Sequence, residues 1–195
     1  MTLPNAPRGR PRDSRAHQAI LAATTELVTE LGYAATSIGA VAARAGVGKD
    51  TIYRRWSGKA ELVYEAVFTQ AEAAPAPDTG SLTGDLTALL EALIQEFSTP
   101  AATAALPGLL ADFAADRELQ ARIRSDFLTP AKDGLAPMFE RAVQRGEANP
   151  GLPVDLVLDT LAGAVFFHVA LVGEHPGPRL ATQLAAIVGR GIETR

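Results

Sequence analysis

The chain has no cysteine, one tryptophan and three histidines among its 195 residues. Without cysteine there can be no disulfide framework, no thiolate metal site and no cysteine nucleophile, and nothing argues for an oxidising compartment. The histidines, His17, His168 and His175, lack His-Glu-x-x-His spacing, and no glycine-rich phosphate loop follows a strand. Asp112, Asp116 and Glu118 read as a solvated face and a helix cap rather than an acid–base set. No enzymatic activity, catalytic residue, metal or cofactor is therefore expected. Long hydrophobic runs are also missing. The densest, residues 161–173, falls short of a bilayer span and contains His168, and no apolar stretch follows the N-terminal arginines as it would in a secretory signal. These absences point to a cytoplasmic protein without a membrane partner, long enough to bury a real core.

Charge is scarce overall but unevenly divided. The net charge is −4. Residues 1–66 carry nine basic against six acidic side chains, +3, and the remainder carries nine against sixteen, −7. A basic head can face phosphates while an acidic body stays soluble and is repelled by them.

Proline is concentrated at Pro4, Pro7 and Pro11, so residues 1–12 are expected to form an irregular arm. From Asp13 onwards Ile20, Leu27, Val28 and Leu31 recur at helical spacing until Gly32. Ile38, Val41, Ala42 and Ala45 predict a short second helix ended by Gly46, and a third is expected from about Lys49 to Trp56. A fourth carries Leu62, Val63, Ala66 and Val67. Two prolines and a glycine in 73–80 mark a linker between a head at 13–72 and a body at 81–195. In the body, apolar stripes predict a helix through Leu82 and Phe97, a shorter one after Pro107, and a long element from Asp116 broken near Pro130. Two further helices follow, one entered at Pro153. No strand and no internal repeat is evident, so the fold class is all-α: a three-helix helix-turn-helix domain followed by a larger helical domain.

A DNA-binding helix-turn-helix needs a glycine-tolerant turn, an apolar residue beneath it and a second helix with polar or basic outward side chains. Gly46, Val47 and Ile52 meet the first two needs, and Lys49, Thr51, Tyr53, Arg54 and Arg55 form the outward face. Arg54 and Arg55 differ by 100° in azimuth on an ideal helix, and spacing alone does not say which reads a base. Lys59 opens the fourth helix, where a cation opposes the helix dipole and calls for an anion; the alternative is a solvated lysine. In the arm, Arg8, Arg10 and Arg12 frame a Gly-Arg-Pro core similar to that of AT-hook peptides, which enter narrow minor grooves; a basic tail attracted to phosphate generally is the other reading.

The order Thr36-Ser37, Val41-Ala42, Ala45-Gly46-Val47, Thr51-Ile52-Tyr53, Trp56, Lys59, Glu61-Leu62 resembles the N-terminal domain of the TetR family of bacterial transcriptional regulators. Two departures stand out. Gly48 replaces the usual serine cap of the recognition helix, and Gly39 lies inside the second helix, where glycine costs ~1 kcal/mol against alanine. The resemblance implies a transcriptional regulator, a repressor released from double-stranded operator DNA by a small molecule. It implies DNA contacts from Thr36, Ser37, Gly48, Lys49, Thr51, Tyr53, Arg54, Arg55 and Lys59, with Lys59 and the Tyr53 hydroxyl on phosphate.

Operator recognition by such heads requires two copies on half-sites about 34 Å apart, hence a homodimer. The resemblance places the dimer in the last two helices, where Phe167, Leu171, Leu184, Ile187 and Val188 are the candidate interface. It also implies an apolar effector pocket among the middle helices, with Phe97, Phe113, Phe127, Met138, Phe139, Phe166 and His168 as candidate lining. A helical protein-interaction module would share the fold but show no cavity.

Overall fold

A computed structural model describes residues 10–69, 75–173 and 178–192. All regular structure among them is helical, in ten helices: α1 (Arg10–Ala35), α2 (Ile38–Ala45), α3 (Lys49–Tyr53), α4 (Lys59–Phe68), α5 (Leu82–Phe97), α6 (Pro100–Ala115), α7 (Arg117–Ile123), α8 (Thr129–Gln144), α9 (Val154–Phe167) and α10 (Pro178–Ile192). Helix α1 begins three residues before the expected start, with Pro11 in its first turn, where a missing N–H costs nothing. Gly32, at φ 78°, breaks its path before Ala35.

Local chemistry explains the other boundaries. Ser37 caps α2 by accepting from the Ala40 amide at 3.2 Å, and Gly46 ends it at φ 67°, a left-handed conformation that suits glycine. Helix α3 stops at Tyr53, earlier than expected. Helix α6 is longer than expected: Thr99 caps it, Pro100 occupies its first turn, and Pro107 lies exposed within it, where water can reach the carbonyl that loses its partner. Asp116 is the cap of α7. The break near Pro130 is a π-helical turn, Arg124–Leu128, which lets the chain pass from α7 into α8 with Pro130 at the start of the new helix.

Two buried clusters hold the molecule together. The first joins Ile20, Val28, Val41, Ile52, Trp56 and Leu62 of the head to Ala102, Ala105 and Leu109 of α6 and to Leu119 and Ile123 of α7. The second joins Leu86 and Leu90 of α5 to Met138, Phe139, Leu161, Val165 and Ala185. The head's core is thus completed by helices beyond the 73–80 linker. That linker's described part is tied down on its far side: Thr79 donates through both amide and hydroxyl to the buried Asp85 carboxylate, and Arg141 lies 3.4 Å from Asp78. Beside Arg145, Glu147 is held below the usual carboxylate range by that guanidinium and by the Leu82 amide.

Helix α9 and the π-helical turn after it form one apolar stretch, Val154–Val172, of 19 residues and mean hydropathy 1.8. By length and composition alone it could cross a bilayer, a test that the core helix of a soluble protein also passes, and it extends well upstream of the 161–173 run read from sequence. Leu161 and Val165 on it are fully buried in the second cluster.

Candidate nucleic-acid interface and effector cavity

Helices α2 and α3 present one outward surface beyond the Gly46 turn. Ser37, Gly48, Lys49, Tyr53, Arg54 and Arg55 are exposed there, and Thr51 is half-buried. Tyr53 is 56% exposed, a large aromatic left on the surface of a short helix. Its neighbour Ile52, by contrast, is wholly buried and pins α3 to the core. Arg54 caps α3, and the amides of Arg55 and Trp56 both return to the Ile52 carbonyl, so the two arginines lie on a tightening turn rather than on a continuing helix. The simple 100° separation does not apply to them. Thr36 needs correction: it is 2% exposed and its hydroxyl donates to the Gly32 carbonyl at 2.8 Å, so its side chain braces the end of α1 instead of facing outward. Arg8 lies outside the described residues, and Arg10 and Arg12 are placed only as backbone in the first turn of α1.

Gly39 acquires a reason. A methyl group there would sit 3.2 Å from Cε of Lys49, so the missing side chain lets the lysine stem lie across α2. Gly48 adopts an extended N-cap conformation with no side chain to bond the α3 amides; the Thr51 amide returns to the Gly48 carbonyl at 3.0 Å, and the first-turn amides before it lack a side-chain cap at the same surface. Arg44, one of the nine bases in residues 1–66, is spent internally: its guanidinium makes a two-pronged contact with Glu30, both arms at 2.9 Å. That contact holds the Glu30 carboxyl below its usual range.

Lys59 also has a partner within the protein. Its ammonium donates to the Tyr33 carbonyl at 3.0 Å and stands 4.1 Å from the centre of the Tyr33 ring. The cation opposing α4's own dipole is therefore met by the carbonyl end of α1 and by an aromatic face. Tyr33 extends this contact to the body. Its hydroxyl donates to Asp112 on α6, and its ring lies so close to α6 that a methyl group at Gly108 would fall 2.1 Å from Cδ1. Burial and the Asp112 carboxylate push the Tyr33 hydroxyl's pKa well above its usual value. A second bridge runs from Glu61, which accepts from the Ser57 amide at 2.9 Å and lies 3.7 Å from Arg122 of α7. Sequence reading missed Tyr33, Gly108, Asp112 and Arg122 because each acts through a residue far away in the chain.

Between the head and the body lies a cavity of about 240 Å³. Tyr64 and Phe68 of α4, Leu89, Leu93 and Phe97 of α5, Leu135 of α8 and Leu158 of α9 form its apolar walls. Of the seven candidates from sequence, Phe97 lines it. Met138 and Phe139 are sealed in the second cluster, and Phe113, Phe127 and Phe166 pack half-buried against the first. His168 is half-buried beside Phe167, away from the cavity lining. The missed walls, Tyr64 and Phe68, belong to a helix that periodicity assigns wholly to the head. Among the described residues no cluster of three or more His, Asp or Glu side chains could hold a metal.

On the expected dimer face, Phe167, Leu171 and Ile187 are 54%, 65% and 67% exposed, large apolar side chains in open water. Leu184 and Val188 instead pack partly against the second cluster. Leu156 and Val172 are exposed as well, and periodicity had not singled them out.

Residues 20–66 match the model of bacterial regulatory proteins of the tetR family, and residues 76–188 match the tetracyclin repressor-like C-terminal domain. The chain belongs to the TetR family. Its relatives include YdeS of Bacillus subtilis, an HTH-type transcriptional regulator 29% identical over 95% of this chain and 94% of its own length. AqdR of Rhodococcus erythropolis, also an HTH-type transcriptional regulator, is 30% identical over 94% of this chain and 88% of its own. The crystal structure of the TetR-family regulator SCO0332 superimposes with a TM-score of 0.75 at 27% identity, covering 92% of this chain and all of that one. This TetR-family protein is a helix-turn-helix transcriptional regulator and not an enzyme. Family members bind operator DNA, dimerise and carry a ligand-binding C-terminal domain.

Proposed function

We propose that this TetR-family protein is a cytoplasmic repressor, a homodimer that leaves its operator when a small apolar molecule enters the cavity. One observation carries this reading: a single ten-residue helix, α4, has Lys59 at its start beside the DNA-facing surface and Tyr64 and Phe68 on the cavity wall. A ligand that displaces those rings moves a rigid rod whose other end is tied through Lys59 to the Tyr33 carbonyl near the end of α1, the helix that leads into α2. On the DNA, Lys49, Tyr53, Arg54 and Arg55 provide base and phosphate contacts. Ser37 and the uncapped amides after Gly48 add backbone contacts, Thr51 packs at the edge, and Lys59 reaches a phosphate when it leaves Tyr33. Arg8, together with Arg10 and Arg12 in the first turn of α1, reaches the adjoining groove. The dimer seam uses Phe167, Leu171 and Ile187, with Leu184 and Val188 as support. Residues 13–72 are the reading head and 81–195 the effector and dimerisation body.

The test is to select the bound site from random duplexes, then measure operator affinity by fluorescence anisotropy in the parent and in Gly134→Leu. Gly134 lines the cavity, and a Cβ added there meets nothing within 4 Å, so the backbone accepts a side chain and a leucine takes up part of the space. A ligand that releases the parent from its operator should fail to release the variant. Equal release of both would place the effector elsewhere.

A further inference from the structure

We infer that the cavity is built for a protonated amine on a small aromatic body and disfavours carboxylates of the same shape. This rests on reading the cavity as the effector site. The inference begins with charge. The charged side chains in the lining are Glu96, Lys132 and Asp159. Lys132 is not available to greet an anion, because its ammonium lies 2.6 Å from Asp159 Oδ1 and that pair is neutral as a unit. The formal charges of the lining side chains therefore sum to one negative charge, and Glu96, which carries it, also has a contact within the protein, in a site walled largely by low-polarity side chains.

Glu96 is placed where a ligand meets it. It shares a face of α5 with Leu89 and Leu93, at the i, i+4, i+7 positions, and all three line the cavity. A carboxylate offers about four acceptor sites, so it can take a ligand ammonium in addition to contacts within the protein. The rings reinforce the preference. Tyr64, Phe68 and Phe97 follow one another along the wall, with centroids 5.6 Å and 5.4 Å apart, and each presents a π-system that attracts cations and repels anions. The cavity, at about 240 Å³, lies below the usual range for drug-sized pockets, which limits the body to one or two fused rings.

Three near-isosteric probes separate charge from shape: naphthylmethylamine, naphthylmethanol and naphthoate, titrated calorimetrically into the full-length protein at neutral pH. The amine should bind about tenfold or more tighter than the acid, with the alcohol between, as a charge-assisted contact predicts. Glu96→Gln should bring the amine-to-acid ratio close to one. Gly134→Leu should weaken all three probes together, which ties binding to this cavity, and far-UV circular dichroism checks that both variants are folded. Naphthoate binding as tightly as the amine, with both lost in Gly134→Leu, would overturn the charge inference and leave the cavity reading standing. Amine binding that survives Gly134→Leu, or no binding by any probe, would overturn the cavity reading and this inference with it.

Discussion

The Lys59 ammonium stands 4.1 Å above the centre of the Tyr33 ring while donating to the Tyr33 carbonyl, so one residue of α1 holds the first residue of α4 twice. The same tyrosine bonds Asp112 of α6 through its hydroxyl. Helices α1, α4 and α6 meet at this side chain, and its hydroxyl, its ring and its lysine partner can each be tested separately.

The hydroxyl gives a pH dependence. Its pKa is raised in the folded state, so the folded chain keeps a proton that the unfolded chain releases near pH ~10. The contribution is fully present below that pH and is lost as pH rises above it. The parent should lose stability in alkaline urea titrations beyond this point, and Tyr33→Phe should flatten that limb while costing about 1–2 kcal/mol at neutral pH, because the bond to Asp112 is gone. Identical alkaline limbs in the two proteins would remove Tyr33 from the account.

The ring gives a packing test. Alanine ordinarily stabilises a helix interior relative to glycine by about 0.5–1 kcal/mol, but Gly108→Ala drives a methyl group into the Tyr33 ring. The single variant should therefore melt below the parent. Combining it with Tyr33→Ala should cost less than the sum of the two single variants, a non-additivity readable in a double-mutant cycle.

Lys59 itself should show two effects. Lys59→Ala removes the tie to Tyr33 and, on the proposed reading, one phosphate partner per head. Its operator binding should weaken for all sequences alike, and the slope of log affinity against log salt should shrink by about 0.9 for each phosphate that is no longer neutralised. An unchanged slope alongside a lowered melting temperature would make Lys59 a structural residue alone.

The dimer seam is best probed at Ile187, which is 67% exposed, rather than at Leu184, which partly packs on its own core. Ile187→Asp places an unpaired carboxylate on the seam without disturbing the fold of one chain. Sedimentation should show the parent as a dimer and the variant as monomers of unchanged helicity that no longer hold a palindromic operator. A variant that still sediments as a dimer would move the seam off α10.

What sequence could show, and where it stopped, follows from the range of each interaction. Helices α2 and α3 were legible because Ile38, Val41 and Ala42 repeat within eight residues and Gly46 must end the run. The outward Lys49, Tyr53 and Arg54 follow from the same periodicity. Gly39 looks like a defect in sequence, and its reason is Lys49, ten positions later, lying over it. Gly108 offered no signal at all, since its cause is a ring 75 positions earlier. The pocket aromatics were misassigned for a related reason: Phe139 and Tyr64 are equally apolar on paper, and only the packing of α8 against α5 buries one while the fold opens a cavity beside the other.

The first buried cluster runs through Ala102, Ala105 and Leu109 as well as through the reading head. The head is consequently no detachable cassette. Grafted onto a foreign effector body at the 73–80 joint, residues 13–72 would bring the half of a core that expects this α6, and any gain of a new operator would come with a mismatched seam. A graft that carries α6 and α7 with the head, to about residue 123, would keep that core whole, well past the joint that proline and glycine mark.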